Sequence, residues 1–340
     1  MTERRAPVTI LDVAKHAGVA PSTVSYVLSG KRMISAGTRA RVLASVRDLG
    51  YHPHAGARAL ASNRSNVIAL VLPLRAGMHV PVLMQFAVSV VTTARRFDHD
   101  VLLVTADEGP AGLRRIDASA LVDGLILMDV ELDDDRIPLL RELDRPSVLI
   151  GFPADPTGLT CVDLDFAEAG AACVAHLASL GHKHIALLGA PEAVYERGTG
   201  FARRTMSGFL DAARQLGVPA RWMPCEESAD AVARRVGQAL ADDPELTGLV
   251  VHNEAAVEPV LAALRAAGRR VPDDMSVLAI CPDELAQRTS PALSSVLVPA
   301  EDVGTHAVTL LMRKLEGVSV PESTLLAPRL TVRASTAPVP

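Results

Sequence analysis

The sequence predicts an α/β protein in which a small all-α head precedes a larger two-lobed body built on parallel sheets. Three observations predict it. Residues 1–66 hold ten Lys/Arg against three Asp/Glu, a net of +7, and since the 340-residue chain carries −5 overall, the remainder carries −12. The opening fifty or so residues read as short helices marked by capping residues. From Asn66 onward, apolar runs of four to eight residues alternate with helix-length segments, which is βα repetition and implies parallel sheets covered on both faces. A basic head on an acidic body suits a chain of which only the head approaches a polyanion.

In the head, Thr9 precedes Ile10, Leu11, Val13 and Ala14, and Asp12 stands three positions after it, so Thr9 caps a helix running to about His16 that Gly18 closes. Small Ala14 and Gly18, with apolar Val13, Val19, Val24 and Leu28, suit two short helices crossing steeply at a tight corner. The second helix starts near Pro21, whose missing N–H is harmless at a first helical position. Its outer face carries Ser22, Thr23, Ser25, Tyr26 and Ser29, while Val24, Val27 and Leu28 turn inward. Ser22 and Tyr26 lie four apart, hence side by side, a suitable pair for base edges in a major groove. Thr23 and Ser25 suit phosphates. An ordinary polar surface helix has the same face; the pair's spacing together with the charge asymmetry favours the nucleic-acid reading. Ser35 caps a third helix in which Val42, Val46 and Leu49 close the core and Arg39, Arg41 and Arg47 ride outside. The stretch from Pro53 to Asn63 is too short to hold helix in water and is expected to order only against a partner.

The body begins at Asn66. Its first strand series is "VIALVLP", "VLLVTA", "GLILMD" and "SVLIG", with helices expected over Val82–Phe97, Ala111–Leu121 and Asp133–Leu143. A second series, "IALLGA", "GLVVHN" and "SVLAIC", is interleaved with Phe201–Leu216, Ala229–Leu240 and Glu254–Ala267. Two series imply two lobes with a ligand crevice at the strand ends between them. Candidate crevice residues are Asn253 and Glu254 at the end of "GLVVHN", Asp283 after "VLAICP", Arg203 and Arg204 before "TMSGF", His79 and Gln85 near the first body helix, and Asp129, Phe152, Phe166 and Tyr195. For each, the bland reading, a capped helix end or a packed core edge, outweighs the ligand reading.

Enzyme chemistry finds no motif. The loop "YERGTGFARR" has Gly198 and Gly200 but no third glycine and does not directly follow its strand, and GxxxxGK[ST], HExxH and GxSxG do not occur. Cys161, Cys173, Cys225 and Cys281 lie at least twelve residues apart with no Cys/His cluster, so buried reduced thiols are expected, with no metal and no cofactor. No secretory signal opens the chain and no apolar run reaches eighteen residues, which points to the cytoplasm and to no membrane partner.

The segments "TILDVAKHAGVAPSTVSYVLSG", "GYHPHAGARALAS", "LASLGHKHIALLG" and "VVHNEAAVEPVLAALRAAGRRVPDDMSVLAI" together resemble the lactose/galactose repressor family of bacterial transcription factors, in order and over essentially the whole chain. The resemblance implies a helix-turn-helix DNA-binding domain at 1–53, a hinge helix or linker at 54–65 and a periplasmic-binding-protein-like body at 66–340 whose lobes exchange segments near Leu164, Ser294 and Leu325. It implies that Pro21, Ser22 and Tyr26 stand where the family reads bases, that Thr9, Thr23 and Ser25 stand where it contacts phosphate, and that Leu60 stands where it wedges a leucine into the minor groove. Thr205 occupies a place where the family usually has arginine. Gly151, followed by Phe152, stands where sugar-binding members carry aspartate, and Cys281 where an acid is frequent, which disfavours a standard hexose. The implied protein is a homodimeric, sequence-specific regulator, expected to repress, gripping a near-palindromic double-stranded operator and answering to a small effector, a sugar or related metabolite. No heptad-bearing tail follows Pro328, which favours a dimer over a tetramer. A small-solute-binding protein without a regulatory role shares the body but discards the head, and an architectural DNA protein discards the ligand.

Overall fold

The computed structural model describes residues 8–29, 32–51, 64–75 and 77–339, and the chain divides into two compact units, Met1–Ser65 and Asn66–Pro340. Leu60 and residues 54–63 of the expected hinge lie outside the described residues.

The first unit holds α1 (Ile10–Ala17), α2 (Pro21–Ser29) and α3 (Ala36–Leu49). Thr9 and Asp12 form a capping box: the Asp12 carboxylate accepts from the Thr9 N–H at 2.8 Å, and the Asp12 N–H reaches the Thr9 hydroxyl oxygen at 3.4 Å. Gly18 and Gly50 end α1 and α3. Val13, Ala14, Ala17, Val24, Val27 and Val42 make the core, completed by Tyr51, a residue the helical spacing did not single out. Ser45, buried, donates its hydroxyl to the Arg41 carbonyl and meets His16 Nδ1, both at 3.0 Å, tying α3 to α1.

The second unit contains two six-stranded sheets. The first runs β11 (Ser323–Leu326), β5 (Cys161–Leu164), β4 (Ser147–Ile150), β3 (Gly124–Leu127), β1 (Val67–Val71), β2 (Asp100–Val104), all parallel. The second runs β12 (Leu330–Thr331), β10 (Ser294–Leu297), β9 (Ser276–Cys281), β8 (Gly248–Val251), β6 (Ile185–Gly189), β7 (Ala220–Pro224), parallel except for the β10–β12 pair. Strands β3, β4, β5, β6, β8 and β9 are buried along their whole length, as strands covered by helices on both faces must be. The first sheet carries α4 (Val80–Arg96), α5 (Gly109–Ala118) and α6 (Ile137–Glu142); the second carries α7 (Phe166–Ser179), α8 (Glu192–Glu196), α9 (Gly200–Leu216), α10 (Ala229–Asp242), α11 (Val257–Ala266) and α12 (Asp283–Arg288). The last helix, α13 (Ala300–Leu315), packs on α4 and on β3, β4 and β5, so it belongs to the first lobe although the strand before it belongs to the second. The chain therefore passes between the lobes after Leu164, after Leu297 and after Leu326.

The helix expected over Glu254–Ala267 opens with a 3-10 turn, Glu254–Ala256, before α11, and another expected helix is far shorter than its pattern. The helix read over Asp133–Leu143 forms only as α6, because the ring of Pro138 would clash with the Asp134 carbonyl in a longer helix. Asp134 instead folds back on Arg136, pairing with its guanidinium at 2.7 Å inside the protein. Cys161, Cys173, Cys225 and Cys281 are free and buried. Among the described residues no helix is long and apolar enough to cross a membrane.

Candidate functional site

On the head, α2 presents its polar face. Pro21 and Ser22 are exposed, Tyr26 is 37% exposed, and Thr23 and Ser25 are partly covered. Ser29 closes the helix. The Arg32 guanidinium lies 5.7 Å from the Tyr26 ring centroid, a cation–π contact that restrains the ring. The Thr9 hydroxyl donates to the Asp12 carboxylate at 2.7 Å, so its hydrogen is already directed within the capping box.

In the body, strand order reverses between β1 and β3 and again between β6 and β8. At such a reversal the crossovers leave on opposite faces and open a crevice at the carboxyl ends of the strands. A cavity of about 110 Å³ lies there. The first lobe lines it with His79, Val82 and Phe86 at the start of α4, Asp129 after β3, Gly151 after β4 and Asp163 in β5. The second lobe contributes Arg197, Phe201, Glu227 and the run His252, Asn253, Glu254 after β8, with Phe166 and Val298 at the crossings.

The lobes also touch directly beside this cavity. Val130–Leu132 meets Gly198–Gly200 as a short antiparallel bridge: the Gly200 N–H donates to the Val130 carbonyl at 2.9 Å and the Leu132 N–H to the Gly198 carbonyl at 2.8 Å. Arg204 adds a bond from its guanidinium to the Pro153 carbonyl at 2.9 Å.

Charge in the cavity wall is unevenly answered. Arg75 binds Asp107 at 2.8 Å and Asp129 at 3.0 Å and also contacts Glu131. Asp129 is pushed up by burial, against the opposing charges of Arg75 and Arg197. Asp163, 7% exposed, accepts from the Leu164 N–H at 2.9 Å. Burial pushes its carboxyl up to about 7, Arg204 only partly offsetting this. Glu254 is pushed up to about 7, again by burial, and the charge of Glu227 acts in the same direction. Burial pushes His252 down to about 4, so its ring is neutral in the physiological range. The Asn253 amide donates to the Cys225 carbonyl at 2.9 Å and weakly to the Gly189 carbonyl at 3.4 Å, which leaves its oxygen as the group to offer a ligand. Among the described residues no cluster of His, Cys, Asp or Glu could hold a metal ion.

Of the crevice residues proposed from strand ends, His79, Asp129, Phe166, Asn253 and Glu254 line the cavity. The others do not. Tyr195 is a core residue, packed edge-on against Trp222 with ring centroids 4.6 Å apart. Arg203 donates to the Tyr195 carbonyl at 2.9 Å, and Arg204 lies against Phe152, itself buried, at 5.7 Å. Asp283 pairs with Arg333 and, with Gln85, borders a separate groove between α4 and the segment 297–302. Strand-end logic missed Asp163, Arg197, Glu227 and His252. The signal for His252 was its place next to Asn253; the other three carry none that one sequence reveals.

Residues 9–54 match the family described as "Bacterial regulatory proteins, lacI family", and residues 174–336 match the "Periplasmic binding protein-like domain". Over 321 residues the chain is 30% identical to the HTH-type transcriptional repressor PurR of Photobacterium profundum, covering 91% of this chain and 92% of that relative. The chain belongs to the lacI family. It is a DNA-binding transcriptional regulator responsive to a small molecule. The lacI-family regulator is also 27% identical to catabolite control protein A of Priestia megaterium, over 97% of this chain and 99% of that protein. Its structure is similar to that of the lac repressor dimer bound to operator and the anti-inducer ONPF, with a TM-score of 0.83 at 25% identity, covering 98% of this chain and 100% of that one.

Burial of Asp163 in this lacI-family body has a measurable consequence. A carboxyl whose folded-state pKa is raised from 3.8 to about 7 binds more protons when folded than when unfolded between those values. Its favourable contribution is therefore complete below the unfolded pKa and lost as pH rises through about 7. Asp163→Asn removes this dependence, so the unfolding free energy of the variant, relative to the wild type, should rise by on the order of 2 kcal/mol between pH 5 and 7. Denaturant titrations of both proteins at the two pH values check it; a difference that stays constant with pH contradicts it.

Proposed function

We propose that the protein is a homodimeric repressor whose heads read the half-sites of a near-palindromic operator and whose cleft holds the controlling effector. The exposed hydroxyl face of α2 on a basic head carries the DNA-reading half of this proposal. Pro21, Ser22 and Tyr26 meet base edges in the major groove, with the tyrosine hydroxyl donating or accepting and the proline packing. Thr23, Ser25 and Ser29, with Thr9 at the start of α1, hold phosphates and set the register. Leu60 in the segment 54–65 inserts at the operator centre, where a kinked duplex admits it.

Dimerisation is supported by a stripe of apolar side chains that the first lobe leaves in water. Met84, Val88 and Val91 recur at i, i+4, i+7 along α4, and Leu102 and Leu103 stand exposed on the edge strand β2. An exposed apolar stripe next to an unpaired strand edge is suited to a second copy of itself. The protein acts where its DNA is, in the cytoplasm, and as a regulator without catalysis.

The effector cavity is lined on both sides, so occupancy favours one separation of the lobes, and the lobes in turn set the spacing of the hinges. Effector and operator affinities are then coupled reciprocally, typically by about 1–3 kcal/mol.

Tyr26→Ala tests the reading helix. It should weaken binding to the best selected duplex by about tenfold or more and relax base preference at one or two positions of each half-site, while binding to random DNA changes little. Competition binding on a panel of single-base variants measures it, and an unchanged preference at every position removes Tyr26 from base reading.

A further inference from the structure

Apart from its titratable groups and Asn253, the cavity wall is largely hydrocarbon and aromatic ring, with Val82, Phe86, Phe166, Phe201 and Val298 prominent. Four carboxyl groups are set into it: Asp129, Asp163, Glu227 and Glu254. Asp129 is answered by Arg75 at 3.0 Å, and Arg197 adds its charge there. Asp163, Glu227 and Glu254 have no Lys or Arg at ion-pair distance among the described residues. When ionised, these carboxylates face no Lys or Arg at contact distance in surroundings that solvate charge poorly; burial keeps Asp163 and Glu254 partly protonated near neutral pH, and a bound cation would draw them into the ionised form.

A second observation points the same way. His252 is 3% exposed, its ring stacked on Phe166 at 5.6 Å and edge-on to Phe201 at 5.6 Å. Its Nδ1 has no hydrogen-bond partner among the described residues. A neutral imidazole in the wall of an aromatic cavity offers a lone pair to a ligand N–H, beside carboxylates that attract the same group.

A hexose bears hydroxyls all round its rim and demands alternating donors and acceptors. This wall sets four carboxyl groups among hydrocarbon and aromatic surface, with Arg197 the one Lys or Arg among its lining residues. Its volume of about 110 Å³ falls below the roughly 150 Å³ of an apolar cavity that admits benzene, so a single ring bearing a short side chain enters only as the lobes part slightly, and anything larger is disfavoured.

We propose that the cleft takes a small amphipathic cation, a single ring or short apolar chain bearing an ammonium or amidinium group, with the apolar part among Phe86, Phe166 and Phe201 and the cationic head against Asp163 and Glu254. This assignment rests on the reading of the cleft as the effector site and narrows its ligand class.

Thermal unfolding and calorimetric titration of the full-length protein at neutral pH test it with four probes: 2-phenylethylamine, its alcohol isostere 2-phenylethanol, phenylacetate, and D-galactose. The amine is expected to raise the melting temperature by about 2 °C or more at ~1 mM and to bind at least about tenfold more tightly than the other three. Asp163→Asn and, independently, Glu254→Gln should each weaken amine binding about tenfold while leaving binding of the alcohol unchanged; either variant alone suffices if the other does not fold. Equal or tighter binding of the alcohol, the acid or the sugar overturns the cationic assignment and leaves the cleft as an effector site. A panel that shifts nothing also overturns the assignment. An amine-induced shift that persists in the cavity-filling variant Val298→Trp lies outside the cleft and overturns both the assignment and the reading beneath it.

Discussion

Gly208→Ala is expected to destabilise the body by about 3 kcal/mol, a fall in melting temperature of roughly 6–10 °C. Helices α7 and α9 cross with their backbones in contact. A Cβ placed at Gly208 would lie 2.0 Å from the Ala167 carbonyl oxygen and 2.7 Å from its Cα, and one at Gly170 would lie 2.4 Å from the Thr205 carbonyl oxygen. Backbone atoms have no rotamer to move into, so the helices must part, and the packing of Phe209, Cys173 and Val174 in the same core is lost with the contact. The gain in helix propensity from glycine to alanine, up to about 1 kcal/mol, is too small to offset this. Gly237→Ala in α10 is the matched control: a Cβ there meets nothing within 4 Å, and propensity alone should leave the protein as stable or slightly more so. Thermal unfolding of the two variants side by side measures the difference, and a Gly208→Ala protein as stable as Gly237→Ala contradicts the close crossing.

Gly200→Val is expected to part the lobes without unfolding either. The added Cβ would stand 2.8 Å from the Phe152 carbonyl oxygen and 3.1 Å from that of Val130, both on the opposite lobe. Relief of that clash breaks the Gly200–Val130 and Leu132–Gly198 bonds at the edge of the cleft. Two hydrogen bonds at about 1 kcal/mol each bias the lobes toward separation by about 2 kcal/mol, roughly a thirtyfold change in population. Amide hydrogen exchange at Leu132 and at position 200, each relative to its intrinsic rate, should accelerate by about that factor while protection within β3, β4 and β8 stays as in the wild type. Exchange unchanged at those two amides contradicts a direct latch between the lobes.

The head is legible because its signals are local. Thr9 with Asp12, Pro21 at the first turn of α2, and Val24 and Val27 on its inner face each state their structure within four residues. Strands β1, β3, β4, β6, β8 and β9 are legible because burial on both faces leaves uninterrupted apolar runs. Strands β5, β7, β11 and β12 are not: β7, β11 and β12 are edge strands, and polar residues or proline interrupt the run, as Asp163 does in "CVDL" and Arg221 and Pro224 do in "ARWMP". The cleft is only half legible. Asn253, Glu254 and Asp129 follow long buried strands and could be placed by that rule. Asp163, Glu227 and Arg197 meet only because the chain crosses between lobes and two strand orders reverse, a juxtaposition no single segment encodes. Tyr195 and Phe152 lie outside the cavity lining, packed against Trp222 and Arg204; an aromatic beside a ligand loop and an aromatic in a core edge have the same sequence context.

Selection of bound duplexes from random DNA by the full-length protein tests the central claim most directly, namely that two copies read DNA together through α2. Enrichment of a near-palindromic sequence whose two halves share one motif in inverted order is expected, lost as a whole when Tyr26 and Ser22 are both changed to alanine. Enrichment of a single unpaired half-site, or none above random sequence, contradicts it.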